Sequence, residues 1–545
     1  ATKTATMAAV QAAVISPLAG VGVGHVEVES RGLGLKASRR PTLRTAGLVA
    51  LTFFSVSGGP FGTELIIKAA GPAFALMGYV AFTMLWSVPE ALMTAELSTV
   101  YPEAAGFAAW TNAALGPFAA WVDAWCSWVS GVVDNAIYPL LCLAYLQEVT
   151  DAFEDDAVLR WAFTLGFVVA LTYLCHRGLD LTGTSAIFLT AFVLAPFVVM
   201  VLAAIPELEP SRWFRVRADR GGTVKLRGWI NNLFWNVNYY DSASAWAGEV
   251  DPRRWGRAMK LSVGLCFLGT LLPMLAATGG TDRDYSKYSE GSYVAVARTL
   301  AGGWLARWTV VAAFFSNIGL FVSEMSSDAY QIMGMAERGL LPEILCYTHP
   351  TTKTPTVAIL LSALGVLALH SLTYESIIAT ENLLYVVSMQ LELVAFVTLV
   401  RRDPGLSRLS AKTLVLLCAP ASILLCLVAL IQRPLVWLLA GVLSLFGVAV
   451  YFVLGRRRSR RGWLPFRVLD PDWAARGSGG VAKYFGWDDR LLEDDDDEEE
   501  FDDDDGGHRA GPRGGGETEP PEASYTYQRL DGTDPTEHGS VVSQS

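Results

Sequence analysis

Long apolar runs recur through most of this chain, and they limit its fold more than any other feature. A hydrocarbon core roughly 30 Å thick is crossed by about 20 apolar residues in an α-helix, and residues 43–454 contain about twelve such runs. Charged residues make up 17% of the chain, whereas a soluble protein carries roughly a quarter. The sequence therefore predicts an all-α polytopic membrane protein with about twelve transmembrane helices.

The runs divide the chain into a membrane domain, residues 43–455, and two tails that we expect to be disordered, residues 1–42 and 456–545. A cleavable targeting segment within residues 1–40 is the less favoured alternative. The expected spans are residues 43–70, 73–99, 117–147, 157–175, 181–205, 229–247, 257–278, 304–333, 355–371, 375–400, 412–431 and 434–454.

The net charge of −11 comes from one segment of the C-terminal tail. Residues 493–505 hold twelve carboxylates in thirteen positions, and without them the formal charge is about +1. The acidity therefore says little about the membrane domain.

Basic residues between the spans predict the orientation. An even number of spans places both termini on one side, and basic clusters lie before span one and after spans six, ten and twelve. Because basic loops tend to remain cytosolic, we expect both termini in the cytosol. The basic loop 212–227 falls on the opposite side, where we interpret it as a solvated amphipathic segment in preference to a topology error or a lipid-binding patch.

The cysteines and histidines do not favour a disulfide framework or a metal site. Six of the seven cysteines fall inside apolar spans, and the six histidines do not cluster. We expect no cofactor and no nucleic-acid partner.

Span one contains a break. The string SGGPFGTE at 57–64 interrupts the apolar run with three glycines and a proline. Backbone groups freed by a break cannot face lipid, so we expect this segment to line a cavity within the protein.

Span six contains a second polar interruption, NVNYYDSAS at 236–244. It lies five spans after the first, the spacing that an inverted five-plus-five helix repeat produces. Two interrupted helices at matching places predict a substrate site near the middle of the membrane, where the half-helix ends offer partial charges to amines and carboxylates.

Several acidic side chains are candidates for that site. Glu64 begins the second half of span one, where it either serves the site or satisfies free amides of the helix. Asp134 lies deep in span three with Tyr138 one turn later on the same face. Asp241 lies in the second break and Glu324 in span eight, and charges at such depth are functional candidates by default.

Aromatic and further acidic residues have weaker claims. Tyr239, Tyr240, Trp235 and Trp246 could present ring faces to an ammonium group, although most such rings simply pack. In span two, Glu90 is a candidate for proton transfer, and Glu96 lies so close to the span end that it is ranked below Glu90.

The chain resembles the amino acid, polyamine and organocation transporter superfamily, and within it the eukaryotic polyamine uptake permeases, over roughly residues 43–455. The strings that carry the resemblance are SGGPFG at 57–62, WSVPEAL at 86–92, TAELS at 94–98, DNAIYP at 134–139 and FWNVNYYDS at 234–242.

The resemblance implies a LeuT-like fold of ten core helices in two inverted repeats, with two peripheral helices and substrate held between spans one, three, six and eight. Proton coupling is implied with it, and the candidate coupling residues are Glu90 and Asp134. The candidate substrate-binding residues are Ser57, Gly58, Gly59, Phe61, Gly62, Glu64, Asp134, Tyr138, Asn238, Tyr239, Asp241, Ser242 and Glu324.

The chain departs from its relatives in two places. Lys68 stands where they tend to continue Glu64 with acidic and small residues, and span five lacks the lysine that some relatives use for proton coupling. Heavy-chain-linked exchangers of the superfamily carry a cysteine after span three, and residues 148–160 have none, so no disulfide-linked partner is expected.

We therefore expect a plasma-membrane transporter that imports polyamines with protons. An amino acid permease of the same superfamily and a nutrient sensor that binds without transporting are the alternatives. A channel would also explain the cavity. An enzyme is disfavoured because the sequence lacks the hydrolase, metalloprotease and phosphate-loop motifs.

Overall fold

The helices of the computed structural model follow the expected spans closely. The structure describes residues 43–458, apart from positions 104, 149, 151–152, 154–155, 178–183, 218–222, 353 and 370–371. The predicted N-terminal tail and nearly all of the C-terminal tail lie outside the described residues.

The described helices are numbered here in chain order. They are α1 (Thr45–Val56), α2 (Glu64–Ala70), α3 (Pro72–Phe82), α4 (Val88–Val100), α5 (Gly106–Leu115), α6 (Pro117–Asn135), α7 (Ile137–Gln147), α8 (Ala157–His176), α9 (Thr184–Ala204), α10 (Leu226–Trp235), α11 (Trp255–Gly280), α12 (Ser292–Ala301), α13 (Gly303–Glu337), α14 (Thr356–Leu369), α15 (Tyr374–Arg402), α16 (Ala411–Leu430) and α17 (Pro434–Arg458).

The prediction of about twelve membrane spans is confirmed. Within the described residues, nine helical stretches are long and apolar enough to cross a membrane. One of them joins α3 and α4 through a π-helical turn at Thr83–Ser87, and another joins α6 and α7. The remaining three spans are the two broken ones and the short α14.

The first break separates α1 from α2, and glycine conformations produce it. Gly58, Gly59 and Gly62 have φ values of 55°, 119° and 88°, which side chains with a Cβ rarely adopt. A Cβ at Gly62 would also come within 2.6 Å of the Trp235 ring. The chain therefore turns where the two broken spans approach each other.

The second break separates α10 from a 3₁₀ helix at Asp241–Glu249, and it contains no glycine. Tyr239 supplies the turn with a φ of 73°, and among the described residues it is the one non-glycine with positive φ. Such a conformation is strained and persists only where surrounding contacts hold it. The second half of this span is thus a 3₁₀ helix, which the sequence pattern did not predict.

Spans three, eight and ten meet in the interior. Helix α6 packs against both α13 and α15, and these three helices carry six of the nine buried carboxyl side chains of the described residues. By contrast, α16 and α17 expose large apolar side chains such as Leu416, Leu430 and Leu435. The arrangement places an apolar surface toward lipid and polar groups toward the centre.

The basic loop after span five, interpreted above as a solvated amphipathic segment, is partly exposed and also contacts neighbouring helices. Trp213 donates from its indole N–H to the Leu275 carbonyl at 3.0 Å, Arg215 pairs with Asp282 and Arg217 donates to the Lys68 carbonyl. These described residues anchor the loop to α11 and α2.

Replacing Gly62 by alanine tests the geometry of the first break. The variant combines a disfavoured φ with a clash against Trp235, so we expect a loss of about 2 kcal/mol or more in stability. The melting temperature of the detergent-solubilised protein measures it. Gly441→Ala is the control, because a Cβ there meets no atom within 4 Å beyond its chain neighbours and the backbone of its own helix; equal melting temperatures for both variants would contradict the described break.

Candidate functional site

Each break has a buried carboxylate that accepts hydrogen bonds from its backbone. At the first break, Glu64 accepts from the Gly62 N–H at 2.8 Å and from the Tyr145 hydroxyl at 2.5 Å. Both oxygens are thereby engaged and the side chain is fully buried. The contacts correspond to the amide-satisfying alternative for Glu64 and leave its role in substrate binding a prediction.

At the second break, the carboxylate that accepts hydrogen bonds from the backbone is Glu90, which lies on span two. Its Oε1 accepts from the N–H groups of Tyr240, at 2.5 Å, and Asp241, at 3.2 Å. The proposed proton-transfer residue therefore also holds the backbone of span six in place, a contact across 150 residues of sequence.

A first pair of carboxyl groups shares one tyrosine. The Tyr138 hydroxyl lies 2.7 Å from Asp134 Oδ2 and 2.6 Å from Glu324 Oε2, and the Trp235 indole N–H donates to Asp134 Oδ1 at 2.6 Å. We call Asp134 and Glu324 the upper pair. It joins four residues that the sequence analysis singled out, from spans three, six and eight.

A second pair repeats this arrangement. The Tyr385 hydroxyl lies 2.8 Å from Glu90 Oε1 and also bonds Asp241 Oδ1. We call Glu90 and Asp241 the lower pair.

Each tyrosine hydroxyl contacts two carboxyl groups, so the number of available hydrogens bears on the protonation of each pair. A phenol has one hydrogen and can donate to one carboxylate at a time. The second short contact is favourable when its carboxyl group is protonated and donates to the phenol oxygen. Each pair in this geometry can therefore accommodate one proton in addition to the tyrosine's own.

Tyr239 lies between the two pairs. Its ring stacks on Tyr385 with centroids 4.5 Å apart, its N–H donates to the Tyr385 hydroxyl at 3.1 Å, and its own hydroxyl bonds Ser130 Oγ at 3.0 Å. Ser242 Oγ donates to the Tyr239 carbonyl at 2.7 Å. These contacts explain how the positive φ is maintained.

Two small polar cavities adjoin Tyr239, each with room for about one water molecule. Ser55 and Tyr239 line both. The first cavity also reaches Ser242, Glu324 and Asp328, and the second reaches Ser57, Asp134, Tyr138 and Asn238. Most of the predicted site residues thus surround one interior region.

Three predicted residues take other places. Phe61 packs edge-on against Tyr145 and Phe197, with centroids 5.2 and 5.0 Å away. The carbonyl of Gly58 accepts from Ser316 Oγ at 2.6 Å. Gly59 donates its N–H to Ser57 Oγ at 3.4 Å. Their contacts are those of a packed turn.

The sequence analysis missed four buried acids: Asp123, Asp328, Glu381 and Glu392. Glu381 accepts from the Asn238 amide at 3.1 Å, which links span ten to the second break. Their presence at depth in an apolar span was a signal that could have found them.

The interior is acidic without compensation. Nine carboxyl side chains of the described chain are buried, whereas no lysine, arginine or histidine of that part is. Ionised carboxylates without cationic partners are costly in an apolar interior. The site therefore suits protons and cationic ligands.

Comparison with known proteins identifies the family of this chain. Residues 47–465 match the family model described as amino acid permease. The chain belongs to the amino acid permease family. As a permease family member it is a multi-pass membrane transport protein.

The names of several similar proteins state a substrate. "Polyamine transporter RMV1" of Arabidopsis thaliana is 40% identical over 77% of this chain and 86% of its own length. "Polyamine transporter PUT1" of Oryza sativa subsp. japonica is 39% identical over 83% and 86%. An "Arginine/ornithine antiporter" of Latilactobacillus sakei is 21% identical over 58% and 69%.

Glu64→Gln tests whether this carboxylate holds the first break. Glutamine offers one acceptor oxygen where two donors converge, so one donor loses its partner at a cost of about 1–3 kcal/mol. The melting temperature should fall relative to wild type and to Glu375→Gln, a control at an exposed position of α15. An unchanged melting temperature with lost substrate binding would assign Glu64 to the substrate instead.

Proposed function

We propose that this permease imports polyamines together with protons by alternating access. The observation that carries the proposal is the acid-only interior of the membrane domain, where nine buried carboxyls have no buried basic partner among the described residues. A polyamine carries ammonium groups along an apolar chain. When such a ligand binds, its positive charges replace protons as the charges that balance the carboxylates.

The upper pair is the proposed ammonium site. Glu324 Oε1 has no hydrogen-bond partner in the described structure, and Glu324 lines a cavity. Tyr138 and Trp235 fix the orientation of Asp134. An ammonium group placed there would gain charge-assisted hydrogen bonds in a water-poor environment.

The lower pair is the proposed proton site. Glu90 cannot leave the second break without freeing the N–H groups of Tyr240 and Asp241, so protonation of the pair is coupled to the conformation of span six. Asp241 Oδ2 has no hydrogen-bond partner in the described structure and can contact the substrate as well. Alternating access then requires Tyr239 to leave the region between the two pairs.

An amino acid substrate fits the first break less well. Its carboxylate would need free backbone amides, but four amides of this break already have partners. Gly58 donates to Phe53, Gly59 to Ser57, Gly62 to Glu64 and Thr63 to Pro60. Because these four amides already have acceptors, the first break favours amines over amino acids.

The proposed orientation places both termini in the cytosol and the protein in the plasma membrane. The basic clusters between the spans support it. With this orientation α6 runs outward and α15 runs inward.

Uptake into proteoliposomes tests the function. We expect labelled putrescine or spermidine to accumulate when an inward proton gradient is imposed, with weak competition by leucine and arginine. Binding without accumulation would favour the sensor. Leucine or arginine accumulation without polyamine uptake would favour an amino acid permease, and flux without saturation or counterflow would indicate a channel.

Asp134→Asn and Asp241→Asn each test one pair. Loss of a buried charged partner costs about 2 kcal/mol or more, so we expect labelled putrescine uptake to fall at least about thirtyfold while the protein remains monodisperse in detergent. Glu375→Gln is the matched control with wild-type uptake. Wild-type kinetics in both aspartate variants would make these carboxyls structural.

A further inference from the structure

Two buried acids lie apart from the upper and lower pairs. Asp123 on α6 accepts from Thr111 Oγ1 at 2.6 Å and from Ser388 Oγ at 2.5 Å. Glu392 on α15 is fully buried, and neither of its oxygens has a hydrogen-bond partner in the described structure. The substrate site described above uses neither residue.

The spacing along α15 relates these acids to the lower pair. Tyr385, Ser388 and Glu392 are three and then four residues apart, so they share one face of the helix. Tyr385 bridges the lower pair, and Ser388 bonds Asp123. Glu392 follows Tyr385 by about 10 Å along the helix axis, toward the end at Arg402.

All the charged groups found near Glu392 among the described residues are acidic. Its electrostatic neighbours are Asp123 of α6, Asp241 of the 3₁₀ helix and Glu90 of α4. Trp110 of α5 lies beside it, but the indole N–H makes no hydrogen bond of normal geometry. Among the described residues, an ionised Glu392 would have this indole as its one neighbouring donor and no cation to stabilise it.

We propose that Glu392 and Asp123 form a proton-binding pair through which the lower pair exchanges its proton with the side of the membrane where α15 ends. This inference rests on the proposed proton-coupled transport. A protonated Glu392 donates its proton to the ionised Asp123, the carboxylic acid of the lower pair then reprotonates Glu392, and Asp123 releases its proton to water on that side of the membrane. One O–H bond breaks and one forms at each transfer, and no other reactant is consumed.

The surroundings of Asp123 and Glu392 favour different protonation states. Asp123 receives two hydroxyl donors and can therefore remain ionised, as a proton acceptor must. Glu392 has no well-aligned donor among the described residues, and this favours its protonated form. A purely structural role accounts for Asp123, which links α5, α6 and α15, but it gives no reason for an unpartnered buried acid beside it.

Glu392→Gln separates proton coupling from substrate movement. Glutamine is neutral and of similar shape, so it imitates the protonated residue but cannot transfer a proton. In proteoliposomes we expect gradient-driven putrescine accumulation to fall at least tenfold, whereas putrescine counterflow at equal pH stays within twofold of wild type. Putrescine-dependent acidification, followed with a pH-sensitive dye in the lumen, should be lost with accumulation.

Asp123→Asn is the second variant and should show the same division between accumulation and counterflow. Glu392→Asp should recover part of the accumulation, and Glu375→Gln is the matched control. Retention of gradient-driven accumulation, or parallel loss of accumulation and counterflow in both variants, would overturn the proposal. Failure of wild-type protein to accumulate putrescine or to move protons with it would instead reject the proposed function.

Discussion

The structure depends on the satisfaction of backbone groups at two interrupted helices. Hydrocarbon offers no hydrogen-bond partners, so a break inside a membrane span is stable only where the protein supplies them. Glu64 supplies an acceptor at the first break and Glu90 at the second. Because these acceptors are carboxylates, the elements that permit the breaks also bring negative charge to the centre of the membrane domain.

The two tyrosine-bridged pairs follow from this arrangement. Glu90 reaches the second break and meets Asp241 through Tyr385, while Trp235, at the end of α10, orients Asp134 beside Glu324. Protons, ammonium groups and backbone amides therefore compete for the same few oxygens. Such competition links the occupancy of the site to the shape of spans one and six, which is the coupling a transporter needs.

The sequence predicted the spans and both breaks well and singled out Asp134 and Glu324 as separate candidates, because apolar periodicity, glycine clusters and isolated acids are local signals. It did not predict that Glu90 would accept hydrogen bonds from Tyr240 and Asp241, because that contact is a product of tertiary packing. Glu381 and Glu392 stand out as acids within an apolar run, but the residues that surround each acid come from other spans, which the local sequence does not show. The 3₁₀ form of the second half of span six was not predicted either, because the break before it contains no glycine or proline.

The crowding of acids on three spans has a consequence for biosynthesis. Helix α6 carries Asp123 and Asp134, α13 carries Glu324 and Asp328, and α15 carries Glu381 and Glu392. An acid at a helix centre opposes insertion from the translocon by about 2.5–3.5 kcal/mol. The spans that form the site are therefore the ones least able to enter the bilayer alone, and they depend on early association with one another during synthesis, whereas α16 and α17, whose apolar runs contain no acid, can insert independently.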